Sequence, residues 1–333
     1  MSTYQPPFVI TPLILNQVIE VGELMGHWAA MAGRTSPLLR KENRIRTIQA
    51  SLAIEHNSLT TEQVTALMEG KRILAPAKDI QEVRNAILAY EKMSEWKSEK
   101  LSDLLQAHRV LMLGLVDNPG QLRTGNVGVY REKQLIHMAP PASQVFRLMN
   151  DLLGWLKTTE LHPLIAGAVF HYEFEFIHPF ADGNGRMGRL WQTLILREWR
   201  SELAWLPVET LIHYQQDRYY QVLGQCDRQS SCTPFIEFIL ENIISALQEG
   251  LGKSSALSEE MSEEMSEEMS PDLLDIEKRI LQILSNHPGR SAKSIADECE
   301  LSARTVERYL KALQLKGKLQ RVGATKGGMW RVI

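Results

Sequence analysis

Cysteine is scarce in this chain: three in 333 residues, at Cys226, Cys232 and Cys299. An odd number of thiols with no CxxC pair argues against a disulfide framework and points to a reducing, cytoplasmic setting. Long apolar runs are missing as well. No stretch of 18 or more apolar residues occurs, and the first residues, MSTYQPPFVI, lack a basic segment followed by an apolar one. Neither a membrane span nor a signal peptide is expected. Charge of one sign is also absent in bulk. The formal net charge is −3, so no polyanionic partner is implied for the molecule as a whole.

What is present is 44% hydrophobic residues, enough for a sizeable core. Their spacing is mostly helical. Apolar positions from Leu13 to Met25 form a broad face over Pro12–Ala32, and a second helix is expected over Ser36–Glu55. In SLTTEQVTALMEG, Thr60 serves as a cap, Glu62 sits in the first turn and Gly70 is a stop. Further helices are predicted near Asp79–Trp96, Ser102–Leu115, Ser143–Thr158, Pro163–Ile177 and Asn184–Trp199, and again beyond Tyr214. Strand signals are few. Val127–Arg131 and Gln134–Met138 read as one small hairpin, closed by Pro140–Pro141.

Composition shifts near residue 250. SEEM repeats three times from Ser258 to Met269, ahead of Pro271. The acidic, low-complexity run reads as a solvated linker over 251–271. Beyond it, 272–333 carries helical patterns at Leu273–Ser285, Ser291–Glu298 and Ser302–Leu315. Two strands, Leu319–Val322 and Met329–Val332, follow around a turn with Gly323, Gly327 and Gly328. That order matches a winged helix-turn-helix. From Ser302 onward Arg304, Arg308, Lys311, Lys316, Lys318, Arg321, Lys326 and Arg331 face only Glu307. A basic face suits DNA phosphates, and docking to a protein is the competing use of such a module.

The chemistry concentrates in IHPFADGNGRMGR, Ile177–Arg189. Pro179 keeps the preceding helix from continuing, and His178 falls in the turn. Gly183 and Gly185 leave the backbone open to a ligand. The next helix begins near Asn184 with unpaired N–H groups and a positive dipole end, a natural phosphate site. Arg186 and Arg189 lie three apart and share one side of it. Asp182 offers an oxygen to a hard cation such as Mg²⁺ (or Mn²⁺), and His178 is suited to take a proton near neutrality. A base, a cation ligand, an anion hole and two guanidinium clamps read as nucleotidyl or phosphoryl transfer to a hydroxyl.

This stretch resembles the signature of the Fic family, H-x-F-x-[D/E]-G-N-G-R-x-x-R. It matches at His178, Phe180, Asp182, Gly183, Asn184, Gly185, Arg186 and Arg189, with wider similarity from about residue 100 to 245. The resemblance implies a mainly α fold: a Fic-type helical bundle with a hairpin flap, here joined to the winged helix. It implies transfer of AMP from ATP to a Ser, Thr or Tyr hydroxyl of a protein, with release of pyrophosphate. His178 is then the base, Phe180 a buried anchor for the loop, and Asp182 the cation ligand. Gly183, Asn184 and Gly185 form the anion hole, and Arg186 and Arg189 orient the β- and γ-phosphates. The flap residues Gln134, Leu135, Ile136 and His137 would align a target segment by strand addition. In DRYYQVL, Tyr219 or Tyr220 would stack on adenine, with an ordinary core position as the other reading.

Many members of the family also carry an inhibitory helix, [S/T]-x-x-x-E-[G/N]. In SLAIEHN, Ser51 and Glu55 have that spacing, one helical turn apart. The resemblance implies that Glu55 pairs with Arg189 and keeps the γ-phosphate from its productive position. His56 departs from the usual Gly or Asn. The expectation is a helix ending one residue later, at Asn57.

Domains are thus expected at 1–99 (helices with the brake), 100–250 (catalytic), 251–271 (linker) and 272–333 (winged helix). ATP, a target protein and a second copy of the chain are the expected partners, DNA is an expected ligand of 272–333, and no membrane is expected. The competing functions are removal of AMP and a nucleotide-sensing transcriptional regulator.

Overall fold

The computed structural model describes residues 4–31, 37–131, 134–268, 271–299, 301–315, 317–322 and 329–332. The chain forms two compact units, Met1–Ser254 and Ser255–Ile333.

The first unit is helical apart from one hairpin. Its helices are α1 (Pro12–Met31), α2 (Pro37–Ala53), α3 (Thr61–Met68), α4 (Ala77–Lys92), α5 (Leu101–Met112), α6 (Ala142–Thr158), α7 (Pro163–Ile177), α8 (Asn184–Trp199), α9 (Val208–Tyr214) and α10 (Gln216–Gln229). Helix α11 (Thr233–Glu268) starts in this unit. The SEEM repeat, expected as a linker, lies within that helix up to Glu268. Serine and glutamate tolerate helix in unbroken alternation with methionine, and no glycine or proline intervenes before Pro271.

A single apolar core runs from Ile14 to Leu247, so 1–99 and 100–250 share one interior. Helix α7 is its axis. PLIAGAVFHYEFEFI is apolar on nearly all sides, as a helix surrounded by others must be. Helix α8 packs along α7 and is itself mostly buried. The two are joined by the turn at 178–183, so the motif sits between the two most enclosed helices of the unit. Residues near the start of the chain lie against this core. Tyr4 Oη donates to Glu173 Oε2 at 2.6 Å, Cys232 N–H donates to Pro7 O at 2.8 Å, and Thr11 Oγ1 donates to Glu237 Oε1 at 2.7 Å.

The hairpin pairs β1 (Gly128–Arg131) with β2 (Gln134–Met138) antiparallel, Gly128 opposite Met138 and Arg131 opposite Gln134. A register shift falls between Val129 and Tyr130. The first strand begins one residue later than the sequence pattern predicts. The side chains of Gln134, Leu135, Ile136 and His137 lie outside the described residues. Helix ends differ by a few residues elsewhere: Asp79–Trp96 resolves into α4 and a short 3₁₀ turn, Met93–Glu95. Thr60 caps α3 as expected, in a reciprocal box with Gln63, and Glu62 stands in the first turn.

The second unit contains α12 (Pro271–Asn286), α13 (Ala292–Cys299), α14 (Ala303–Leu315), β3 (Leu319–Val322) and β4 (Met329–Val332). Leu319 pairs with Val332 and Val322 with Met329. Ile280, Leu284, Ile295, Val306, Leu313 and Leu319 form its own core. Ser302 caps α14 by accepting the Thr305 N–H at 3.1 Å. The turn at Gly323, Gly327 and Gly328, with Lys326, lies outside the described residues, as does Lys316. The side chains of Arg304 and Arg308 are likewise outside them.

Candidate active site

His178 ends α7 in the left-handed region, at φ 50° and ψ 60°. A non-glycine residue holds that conformation only where its surroundings fix it. Here they do. The His178 N–H donates to Phe174 O at 2.9 Å, and Arg123 Nε donates to His178 O at 2.7 Å. The ring's Nδ1 donates to Glu175 O at 3.3 Å. In the neutral ring that bond places the proton on Nδ1 and leaves the lone pair on Nε2.

Arg123 was not singled out in the sequence, yet it ties the whole loop together. It is 6% exposed, and its guanidinium also donates to the carbonyls of Gly125, Pro140 and Ile177. Its own N–H donates to Pro179 O at 2.9 Å. One cation thus joins the flap's two ends to the turn after α7.

The next anchor is Phe180, fully buried. It stacks on His108 with ring centroids 3.6 Å apart and planes 4° from parallel. His108 Nδ1 accepts the Gly120 N–H at 2.8 Å, and Nε2 donates to Asp182 O at 3.0 Å. Asn184 closes the same loop from the other side. Its Oδ1 accepts the Phe180 N–H and its Nδ2 donates to Phe180 O, both at 2.9 Å. The Asn184 side chain is therefore spent on the loop, and only its backbone N–H is left for an anion.

Gly183 precedes α8 at φ 82°, and a Cβ there would stand 2.6 Å from Met112 Sδ. No side chain caps the helix. Its first turn is occupied instead by Glu55. A Cβ on Gly185 would overlap Glu55 Oε1, so that carboxylate lies directly against the helix entrance. Glu55 Oε1 is 2.8 Å from Arg189 Nη2. Arg189, 2% exposed, also donates from Nε to Ser51 Oγ at 3.1 Å and from Nη2 to Ser51 O at 2.9 Å. Burial disfavours the Arg189 charge, but the neighbouring groups, Glu55 first and Tyr219 and Glu175 with it, together outweigh that and hold the guanidinium protonated.

The end of α2 corrects the expectation for His56. The chain does not run on to Asn57. His56 itself takes the left-handed conformation, φ 67°. The Asn57 N–H returns to Leu52 O at 3.1 Å and the His56 N–H to Ala53 O at 3.0 Å, the paired bonds of a Schellman ending. Asn57 is buried; its Nδ2 donates to Glu82 Oε2 at 2.8 Å. Glu82, another residue not singled out in the sequence, meets Arg186 Nη1 at 3.2 Å. Arg186 Nη2 lies 3.5 Å from Asp182 Oδ1.

Asp182 keeps 59% of its side chain in solvent while Oδ1 accepts the Gly183 N–H at 2.6 Å. Among the described residues no cluster of three or more acidic, histidine or cysteine side chains forms a metal cage. One open carboxylate beside an anion site fits a cation that arrives with a polyphosphate, since Mg²⁺ takes one or two carboxylates and fills the rest with phosphate and water.

A cavity of about 140 Å³ opens beside these groups, lined by Glu55, Tyr172, Phe176, His178, Arg189 and Tyr220 among others. The two tyrosines of DRYYQVL part company. Both line the cavity, but Tyr219 is 2% exposed and donates to His171 Nε2 at 3.1 Å, whereas Tyr220 keeps part of its side chain accessible.

Comparison with known proteins accords with this geometry. Residues 98–196 match the Fic/DOC family model, and residues 273–320 match a winged helix-turn-helix DNA-binding model. A crystal structure of a Fic family protein from Desulfovibrio desulfuricans G20 is 45% identical, covering 99% of this chain and 98% of that one, with a TM-score of 0.75. The chain belongs to the Fic family. Protein adenylyltransferase Fic of Nematostella vectensis is 30% identical over 214 residues, which are 60% of this chain and 47% of that protein. The chain spans about half or less of the curated relatives it matches. A Fic-1 fragment from C. elegans shares the fold at 20% identity, with a TM-score of 0.58 over 73% of this chain and 74% of that one. Among the described residues no helix is long and apolar enough to cross a membrane.

Proposed function

We propose that this Fic protein is a protein adenylyltransferase that holds its own site shut. The observation carrying the proposal is the Glu55 carboxylate, seated at the entrance of α8 and paired with Arg189 beside the cavity that His178 borders. A helix N-terminus flanked by two guanidinium groups selects phosphate, and a carboxylate there stands in for one. ATP is the substrate. A Ser, Thr or Tyr hydroxyl, of a target protein or of the chain itself, loses its proton to His178 Nε2 as its oxygen bonds to the α-phosphorus. The bond from that phosphorus to the β-phosphate oxygen breaks, and pyrophosphate leaves. Arg186, Arg189 and the N–H groups of Gly183, Asn184 and Gly185 hold the phosphates. A Mg²⁺ or Mn²⁺ ion held by Asp182 supplies charge neutralisation on those phosphates. Tyr220 stacks against the base, and the hairpin β1–β2 takes up the target strand.

Loss of Glu55 removes a charged contact worth ~1.5–3 kcal/mol, so Glu55→Gly should raise transfer ~10–100-fold. The measurement is incubation with labelled ATP and Mg²⁺, followed by mass analysis of the protein. His178→Ala should abolish the added AMP while ATP still binds. Equal labelling of wild type and Glu55→Gly would sink the autoinhibitory reading. Labelling of His178→Ala would remove His178 as the base. Loss of AMP from a pre-modified target, without net gain, would instead mark the reverse reaction.

A further inference from the structure

The two motif arginines of α8, Arg186 and Arg189, are each met by a carboxylate from the N-terminal region, but the two pairs are built differently. Glu55, on Arg189, keeps 33% of its side chain in solvent; Glu82, on Arg186, keeps 5%. An exposed carboxylate can turn out into water. A buried one cannot leave without stranding two charges in the interior. The first pair is displaceable and the second is permanent.

The surroundings of Glu82 reinforce the distinction. Oε1 faces Arg186 Nη1, with Lys78 Nζ at 3.9 Å on the outside. Oε2 accepts from Asn57 Nδ2. Asn57 is fixed in turn, donating to Asp79 O at 3.2 Å and accepting the Leu59 N–H at 3.1 Å. Both carboxylate oxygens are thus held by protein groups before any ligand arrives. On the other side of the pair, Arg186 keeps donors in reserve. Its Nε is buried and has no hydrogen bond among the described residues. The guanidinium is a rigid planar fork, so anchoring one nitrogen fixes where the others point.

We infer that Glu82 is a positioning residue that holds the Arg186 fork for the phosphates of the bound nucleotide. The inference rests on the phosphate-binding reading of Arg186 given above. Without the Glu82 charge, the anion left beside Arg186 is Asp182, 3.5 Å away. The fork then turns onto Asp182, and both groups are lost to the nucleotide. Glu82 acts through Arg186, so its removal shows in nucleotide capture rather than in turnover.

The test uses the full chain with Glu55→Gly, so that the brake does not mask the effect. Initial rates of self-modification against ATP concentration give KM and kcat. Calorimetric titration with ATP and Mg²⁺, in the same variants carrying His178→Ala, gives the dissociation constant without turnover. Glu82→Gln keeps the shape and loses the charge; it should raise both KM and the dissociation constant on the order of ten-fold, with kcat nearly unchanged. Glu82→Asp keeps the charge on a shorter stem and should fall between. Unchanged KM and dissociation constant in Glu82→Gln overturn the inference. Equal impairment in Gln and Asp overturns it too, since it marks a space-filling role. Should Glu82→Gln not melt cooperatively, Glu82→Asp carries the test by the same rule: a higher KM at constant kcat supports, and no shift overturns. If no Glu55→Gly protein transfers AMP, the transferase reading fails, while the titration still reads Glu82.

Discussion

His171 lies two turns before the motif histidine on α7, yet its environment assigns it the opposite character. It is fully buried, with Nδ1 donating to Gln192 Oε1 at 2.5 Å and Nε2 accepting from Tyr219 Oη. Burial first, and the nearby Arg189 charge with it, lower its pKa from 6.5 to about 3 against the pull of the Gln192 bond. The unfolded chain takes up this proton near 6.5 and the folded chain only near 3. Between those values the unfolded state binds more protons, so stability falls as pH is lowered through that window and is undiminished above it. The slope from this one group is at most ~1.4 kcal/mol per pH unit. Thermal unfolding at stepped pH should show His171→Asn losing less midpoint temperature between pH 7 and 4.5 than wild type does. Parallel curves would mean that His171 does not carry the acid sensitivity. The contrast with His178 also marks what a sequence can tell at this scale. His178, Asp182, Arg186 and Arg189 stand in one short run whose residue types spell their chemistry. Arg123 and His108 work on backbone carbonyls and amides, which every residue has, and so they leave no pattern to read. Glu82 is 104 positions from its arginine, and nothing local distinguishes it from a surface glutamate.

At the scale of elements, α7 and α8 keep the boundaries that their patterns predict, because a capped or proline-broken helix with a buried face has little freedom to end elsewhere. The end of α2 was harder to read. Propensity argues against a left-handed histidine, but the bonds from Asn57 and His56 back to Leu52 and Ala53, and the burial of the Asn57 amide against Glu82, override it. That conformation is strained for a residue with a Cβ, by ~1 kcal/mol relative to the relaxed chain. The strain sits one residue after Glu55, so it weakens the very segment that presents the carboxylate. His56→Gly should therefore tighten the brake and lower basal self-modification ~5-fold, the ratio that ~1 kcal/mol gives. Rates of wild type and His56→Gly, each with and without Glu55→Gly, decide this. An equal fall in both backgrounds would mean that His56 acts on something other than the brake.

Across the whole molecule, the two units were legible for different reasons. The second announces itself by order of elements, three helices and a terminal hairpin, which a short independent core can hold. In the first, the helical N-terminal region and the motif-bearing region look separable in sequence. They fold around one interior, in which Ile14, Ile48 and Val83 of α1, α2 and α4 join Phe170 and Trp191 of α7 and α8. The acidic repeat, expected as a solvated linker, is helical up to Glu268. We propose DNA as the ligand of the second unit on the strength of its one-sided charge from Arg304 to Arg331. Full-length protein should retain duplex DNA in a gel shift with log affinity falling by ~0.9 per phosphate contacted for each decade of salt. Binding that ignores salt, or no binding, would favour docking to a protein.

The few thiols sort themselves by burial. Cys226 and Cys232 are sealed in the first unit, and burial raises the pKa of both. Cys299, in the second unit, is partly exposed. A maleimide dye at neutral pH will therefore mark the winged-helix unit and spare the Fic unit. The natural chain already carries a single-position optical label, with no cysteine to remove and none to add.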